Sequence, residues 1–282
     1  MSGRIVIAMG LLAVLVLVAG CGHHPPPEKA GGRLIPGTED LAGLSWFSIS
    51  PRGTWLLFPL MTAPEGEATI ALIRLEDEKR FDVTVTEEAK PLIKPYYVEK
   101  DVRWDHDERA VLFVPYRLPR KAVELRLDSP PFQMQPSPDP KRWDPDLDNW
   151  ELVPRTDYEW NQGSWSYEFT TVDVESSQKQ VVISHDERVL AKHREPWLSP
   201  TTITLEIVAY SPDRSHLAYA ISRFHMLAAG NPGFVVPTDG SRKPRYLGSA
   251  LFKPILWDPV RPRVYAIVLR RDVGIYYWRV DQ

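Results

Sequence analysis

Two histidines, His185 and His193, lie eight residues apart in the stretch SHDERVLAKHREPW, with Asp186 and Glu187 between them. Imidazoles and carboxylates at that density could hold a metal ion or move a proton. The spacing matches no established ligand pattern, however, and a solvated loop between structural units accounts for the same residues more simply. His216 and His225 flank an apolar strand, where packing or surface positions explain them. Three aspartates, Asp105, Asp144 and Asp258, each follow a tryptophan, Trp104, Trp143 and Trp257. Carboxylates gathered around one channel could serve as general acid and as nucleophile or base. Recurrence at one place in successive units is nevertheless what a turn residue shows, so no catalytic residue is assigned.

The richest surface candidate is the acidic, aromatic stretch 142–169. Trp143, Trp150, Trp160 and Trp165 within it form a candidate binding surface for a protein or a glycan, because Trp and Tyr are enriched where interfaces hold their energy. The competing reading is that two or three of them pack inside the fold. His23 and His24 read as solvated, as do Arg242, Lys243 and Arg245 in SRKPRYLG. No G-x-S-x-G elbow, H-E-x-x-H pair, cysteine cluster or phosphate-cradling glycine loop is present in the sequence. No metal and no cofactor are therefore expected.

The elements that would carry these residues are strands. The chain has 282 residues, with ten Trp and eleven Tyr against 16 Gly and 27 Pro, a composition of strands joined by many turns. A net charge of -3 gives no reason to expect nucleic acid as a partner.

Residues 1–20 read as a targeting segment: Arg4 precedes the apolar run Ile5–Gly20, which ends in VAGC with the only cysteine of the chain, Cys21. That ending resembles the lipobox of bacterial lipoprotein signal peptides. The resemblance implies cleavage before Cys21, a diacylglyceryl group on its thiol and an acyl chain (palmitate, for example) on its new amino group. Several chains on one residue anchor stably where one alone would not. Gly22 follows Cys21, in place of the Asp associated with inner-membrane retention, so an outer-membrane lipoprotein facing the periplasm is expected. Residues 21–32, with Pro25, Pro26 and Pro27 and then Gly31 and Gly32, read as a Pro/Gly tether, and 33–282 as the folded domain.

A pattern repeats through that domain: a polar or aromatic strand end, a turn with Pro or Asp, then an apolar strand. Copies surround Pro51, His106, Pro145, Pro212 and Pro259, at steps of 55, 39, 67 and 47 residues. Downstream of each, an apolar strand ends in an acidic residue: ALIRLED, VELRLDS, TTVDVES, FVVPTDG and YYWRVDQ. Four strands in roughly 40 to 50 residues is one blade of a β-propeller. Within a turn, Asp213 can accept backbone N–H groups and Pro212 fixes φ. The last unit lacks its outer strand, and Arg33–Gly37 reads like its missing piece, which would close the ring and remove two exposed edges.

YSPDRSHLAYA followed by GFVVPTDGSRKPRYLG resembles the TolB-like (PD40, WD40-like) repeat, most strongly over 209–248. The expected fold is thus all-β: a propeller of about five four-stranded blades, or six if the 67-residue step holds two, closed by the N-terminal strand. The expected function is that of a lipid-anchored cell-envelope scaffold that binds protein partners and is not an enzyme. A propeller hydrolase or lyase acting on carbohydrate is the alternative.

Overall fold

The computed structural model describes residues 26–39, 46–60, 70–90, 102–105, 107–113, 123–137, 152–153, 165–173, 178–185, 188–195, 203–223, 232–249, 251–269 and 273–281. A short 3-10 helix, Pro27–Ala30, leads into β1 (Arg33–Leu34). β2 (Ser48–Ile49), β3 (Trp55–Pro59), β4 (Ile70–Arg74) and β5 (Lys79–Val85) make a first antiparallel meander. β6 (Val102–Asp105), β7 (Ala110–Phe113), β8 (Val123–Arg126) and β9 (Gln133–Pro136) make a second. β10 (Leu152–Val153) precedes the three antiparallel strands β11 (Trp165–Asp173), β12 (Gln178–His185) and β13 (Arg188–Glu195). β14 (Ile203–Tyr210), β15 (His216–Arg223), β16 (Gly233–Pro237) and β17 (Arg245–Gly248) form the fourth group. β18 (Leu251–Trp257), β19 (Arg263–Val268) and β20 (Gly274–Arg279) form the last.

The chain's first strand completes its last sheet. β1 runs antiparallel to β20 with Arg33 opposite Tyr277 and Leu34 opposite Tyr276. The Ile35 N–H then donates to the Ile275 carbonyl at 2.9 Å. Just beyond, the buried Thr38 hydroxyl donates to the Ile35 carbonyl and accepts the Ile275 N–H, at 2.8 and 2.9 Å. The expected closure by the N-terminal strand is what the structure shows.

Period-2 alternation explains how the sheets stack. Successive side chains of a strand point to opposite faces, and here both faces are apolar because each sheet is covered on both sides. Leu57, Ile70 and Leu72 of the first meander pack on Val111, Phe113 and Val123 of the second. Their immediate neighbours Leu56, Phe58, Ala71 and Ile73 turn the other way, onto Tyr265, Ile267, Ile275 and Tyr277 of the last sheet. The last sheet alternates likewise, presenting Val264, Ala266, Tyr276 and Trp278 to Ala218, Ala220 and Val235 of the fourth group. Leu217, Tyr219 and Ile221 of that group face Ile183, Leu190 and Ala191 of β12 and β13. Sheets packed face to face in this cyclic order are a β-propeller. A one-residue slip in any central strand would exchange its two interfaces. The outer strands β5 and β9 also pair, in parallel, with Thr84 opposite Gln133, which covers two edges at once.

Three local expectations change. The strand after Pro145 does not open the third sheet; β10 pairs with β6, Leu152 opposite Asp105 and Val153 opposite Trp104, because β6 offers it an unpaired edge. The stretch expected as a solvated loop around His193 is the strand β13, paired along β12. Part of the segment expected as tether is docked: Pro27 lies buried against Gly248 of β17, and the Tyr276 hydroxyl donates to Glu28 at 2.6 Å.

Candidate functional site

The repeated turns are built to one plan. Ser50, Asp105, Ser211 and Asp258 hold the same position, five residues before the first residue of the next strand. Closure is by a backbone bond from residue n to n+5 in three of them: Ser50 to Trp55, Ser211 to His216 and Asp258 to Arg263, each 2.9 Å. Each of the four side chains is short and polar, and each accepts N–H groups of its own turn. Ser50 Oγ takes those of Thr54 and Trp55, and Ser211 Oγ that of His216. Asp258 Oδ1 takes Val260 and Arg261, and Asp105 Oδ1 takes Asp107 at 3.4 Å. Three residues on, Gly53, Glu108 and Arg214 have φ of 67°, 58° and 58°. Asn, Asp and Gly tolerate that left-handed region best. At Gly53 a side chain would also strike Asp258, since a Cβ there would lie 2.8 Å from its carboxylate.

Two of the aspartates weighed for catalysis, Asp105 and Asp258, are therefore turn caps. Asp258 is buried, and besides its two N–H donors it accepts the Tyr265 hydroxyl at 3.0 Å and the Arg261 guanidinium at 3.3 Å. Burial and the Asp258 charge push the Tyr265 hydroxyl up. Asp213 accepts the Ser215 N–H as expected, and the hydroxyls of Ser211 and Ser215 as well. Those bonds, that from Ser211 foremost, hold its carboxyl down to about 2. Asp144 lies outside the described residues.

The tryptophans beside the caps join neighbouring sheets. Trp104 Nε1 donates to Ser48 Oγ in the first meander at 2.8 Å, and Trp257 Nε1 donates to the Ala209 carbonyl of β14 at 2.9 Å. In both cases the acceptor sits two residues before the preceding unit's own cap. Tyr210, at the Trp position of the fourth unit, reaches His185 Nδ1 at 3.0 Å. In the second, fourth and last units one residue thus clamps the unit to the one before. Sequence reading noticed the Trp–Asp recurrence but not its acceptors, which lie about 50 residues upstream.

The two central histidines do not meet. His193 sits opposite Val181, four residues along β12 from His185, or about 13 Å. His193 Nε2 instead contacts the fully buried Tyr219 hydroxyl at 2.8 Å, and its ring lies 4.4 Å from that of Phe234. Burial holds His193 down to about 4 and pushes Tyr219 up, so a neutral imidazole packs in this seam near neutral pH. His216 stands against Trp257, its ring pulled below the ordinary value by burial. Among the described residues no group of three or more His, Cys, Asp or Glu is placed to hold a metal ion. Trp165 opens β11 opposite His185. Trp143, Trp150, Trp160, His23, His24, His225, Asp186, Glu187 and Cys21 lie outside the described residues.

All four capped turns stand on one rim of the propeller, and its charge is divided. Over the first two meanders, Glu76, Asp77, Glu78, Asp107 and Glu108 are matched by paired cations: Arg52 binds Asp107 at 2.8 Å and gives its N–H to Glu108, Arg33 binds Glu78 at 3.0 Å and Arg74 binds Asp77 at 2.6 Å. Over the fourth and last sheets the balance is basic. Arg245, expected as solvated, is a latch: its guanidinium donates to the carbonyls of Arg279 at 2.8 Å and Ala30 at 3.4 Å. Arg242 and Lys243 beside it are exposed, as expected.

No protein-family model matches the chain, and no curated protein matches it in sequence. Solved structures resemble its fold. The Swd1 β-propeller domain of Myceliophteria thermophila is 10% identical, with 87% of this chain and 98% of that one covered and a TM-score of 0.37. The AtxE2 isopeptidase, in a variant with bound astexin, is 12% identical at a TM-score of 0.42; the alignment covers 86% of this chain, which spans only 50% of the isopeptidase. A putative TolB from Agrobacterium tumefaciens is 13% identical at a TM-score of 0.27, with 84% and 77% covered. Among the described residues, no helix is long and apolar enough to cross a membrane.

Proposed function

We propose that this propeller, counted as five blades, is a lipid-anchored scaffold of the cell envelope that binds protein partners and performs no chemistry of its own. The observation that carries this reading is how the described acid–base residues are used. Asp105 and Asp258 cap turns, and His185 and His193 are bonded to tyrosines of the neighbouring sheet. Groups committed to holding the ring together leave binding by surface loops as the simplest activity. The stretch with Trp143, Trp150, Trp160 and Trp165 is the proposed docking surface, offering large, rigid contact area. Anchorage rests on VAGC ending at Cys21, only five residues before Pro26, where the described structure begins. The outer membrane, with the propeller in the periplasm, is the proposed place.

Affinity capture from detergent-solubilised envelopes tests the reading. A stoichiometric protein partner should co-purify with the wild type and be lost when Trp150 and Trp160 are both replaced by Ala. Turnover of envelope polysaccharide by the purified chain, with no such partner, would overturn it.

A further inference from the structure

The rim that carries the capped turns also carries the point where the chain enters the domain. The helix Pro27–Ala30 lies against β17, with Arg245 bonded to the Ala30 carbonyl, so the backbone arrives at this rim between the fourth and last sheets. Four exposed cations stand around that point, Lys29, Arg242, Lys243 and Arg279, interspersed with the exposed carboxylates of Glu28, Asp239 and Asp281; Glu28 is bonded to Tyr276, and Asp239 lies by Arg188. The side chains of the four cations make no ion pair or hydrogen bond with other described residues, unlike Arg33 and Arg52 on the acidic half. The same rim bears the two large exposed apolar side chains found among the described residues, Val260 at 70% and Val189 at 47% exposure. Val260 lies in the turn capped by Asp258, whose end meets Val280, and Val189 follows Arg188, which bonds the Asp239 carbonyl near Arg242.

We propose that this basic rim lies on a surface of anionic phospholipid, with the four cations at the headgroups and Val189 and Val260 reaching between them. The inference rests on acylation of Cys21 and deepens that reading by giving the propeller an orientation. Chain length makes the case. From Cys21 to Pro26 the backbone can span at most about 18 Å, so the entry point cannot stand far from the bilayer. Surface charges attract basic groups only within roughly a Debye length, about 8–10 Å, and a leash this short brings the rim toward that range. The opposite rim, with Glu87 and Thr86 at the far end of β5, would then face away from the membrane, and the acidic half of the first two meanders would sit at the margin of the contact.

The full-length lipoprotein, purified from membranes and reconstituted into vesicles, tests this. An environment-sensitive fluorophore goes on Ser241→Cys at the rim or on Glu87→Cys at the far side; with Cys21 acylated, the introduced thiol is the only one to label. Vesicles are phosphatidylcholine alone or an equal mixture with phosphatidylglycerol, each with a quencher on a minor lipid headgroup. In the anionic vesicles, quenching at position 241 should exceed that at 87 several-fold. The ratio should fall toward one in the neutral vesicles, and also when Arg242, Lys243 and Arg279 are all changed to Glu. Equal quenching at both positions in anionic vesicles, with acyl chains on Cys21 verified by mass, would overturn the docking alone. A rim label shielded in native envelopes but open on anionic vesicles would mean an acidic protein is the occupant, and would also overturn it. An unacylated Cys21 would sink the anchor, and the docking with it.

Discussion

Two seams of the ring are joined by different physics. Where the last sheet meets the first meander, the contact is apolar and closed by the chain's own N-terminal strand: Phe47, Leu56, Phe58 and Ile35 interlock with Tyr265, Ile267 and Tyr277. Where β12 and β13 meet the fourth group, apolar contacts among the described residues are joined by two histidine–tyrosine pairs. Neutral hydrocarbon is indifferent to pH, whereas a buried imidazole is not. The closing seam should therefore respond to lost volume and lost backbone partners, and the histidine seam to protons.

The largest effect should come from emptying the closing seam. Phe58→Ala removes a fully buried ring and should cost about 3–5 kcal/mol, read as a drop in the denaturant midpoint. An equal loss from Val189→Ala, an exposed residue, would show that the contrast is not one of packing. Next, Thr38→Val keeps the shape but strands the buried Ile275 N–H, at about 1–3 kcal/mol. At the histidine seam the sign follows from the shift. His193 titrates near 4 in the fold against 6.5 in a free chain, so between those values the unfolded state holds the extra proton. Its contribution is complete above pH 6.5 and disappears as the pH falls through 4, a change on the order of 3 kcal/mol. Urea titrations at pH 7 and 4.5 should show this loss in the wild type and a flatter profile in His193→Gln; identical profiles would remove the distinction between the seams. The smallest effect is at the turns. Ser211→Ala gives up one cap, about 0.5–1.5 kcal/mol, and Asp258→Ala should cost more because Tyr265 loses its acceptor in a buried place.

The turns also explain what could be read in advance. Ser50-Pro51, Ser211-Pro212 and Asp258-Pro259 are local solutions, a capping side chain and a fixed loop length, so they leave a mark in the sequence wherever they occur. The apolar strands that follow each turn are local too, and four strands in roughly 40 to 50 residues point to one blade. No such turn is found in the third sheet among the described residues, so neither the pairing of β10 with β6 nor the strand β13 is marked in the sequence. The partners of Trp104, Trp257 and His193 belong to the preceding or following unit, and no spacing within one unit could name them. Arg245 looked like one of three solvated charges, but the carbonyls it binds come from the two ends of the chain. The basic rim escaped notice for the same reason, since Lys29, Arg242 and Arg279 are gathered only by folding.

The pairing of β1 with β20 also imposes an order of events. Arg33 and its partner Tyr277 are about 240 residues apart. The sheet they share cannot form until both have been made, and contacts so distant in sequence form slowly. Until Tyr277 is in place, the edge of β1 and the Phe47–Phe58 face stay uncovered.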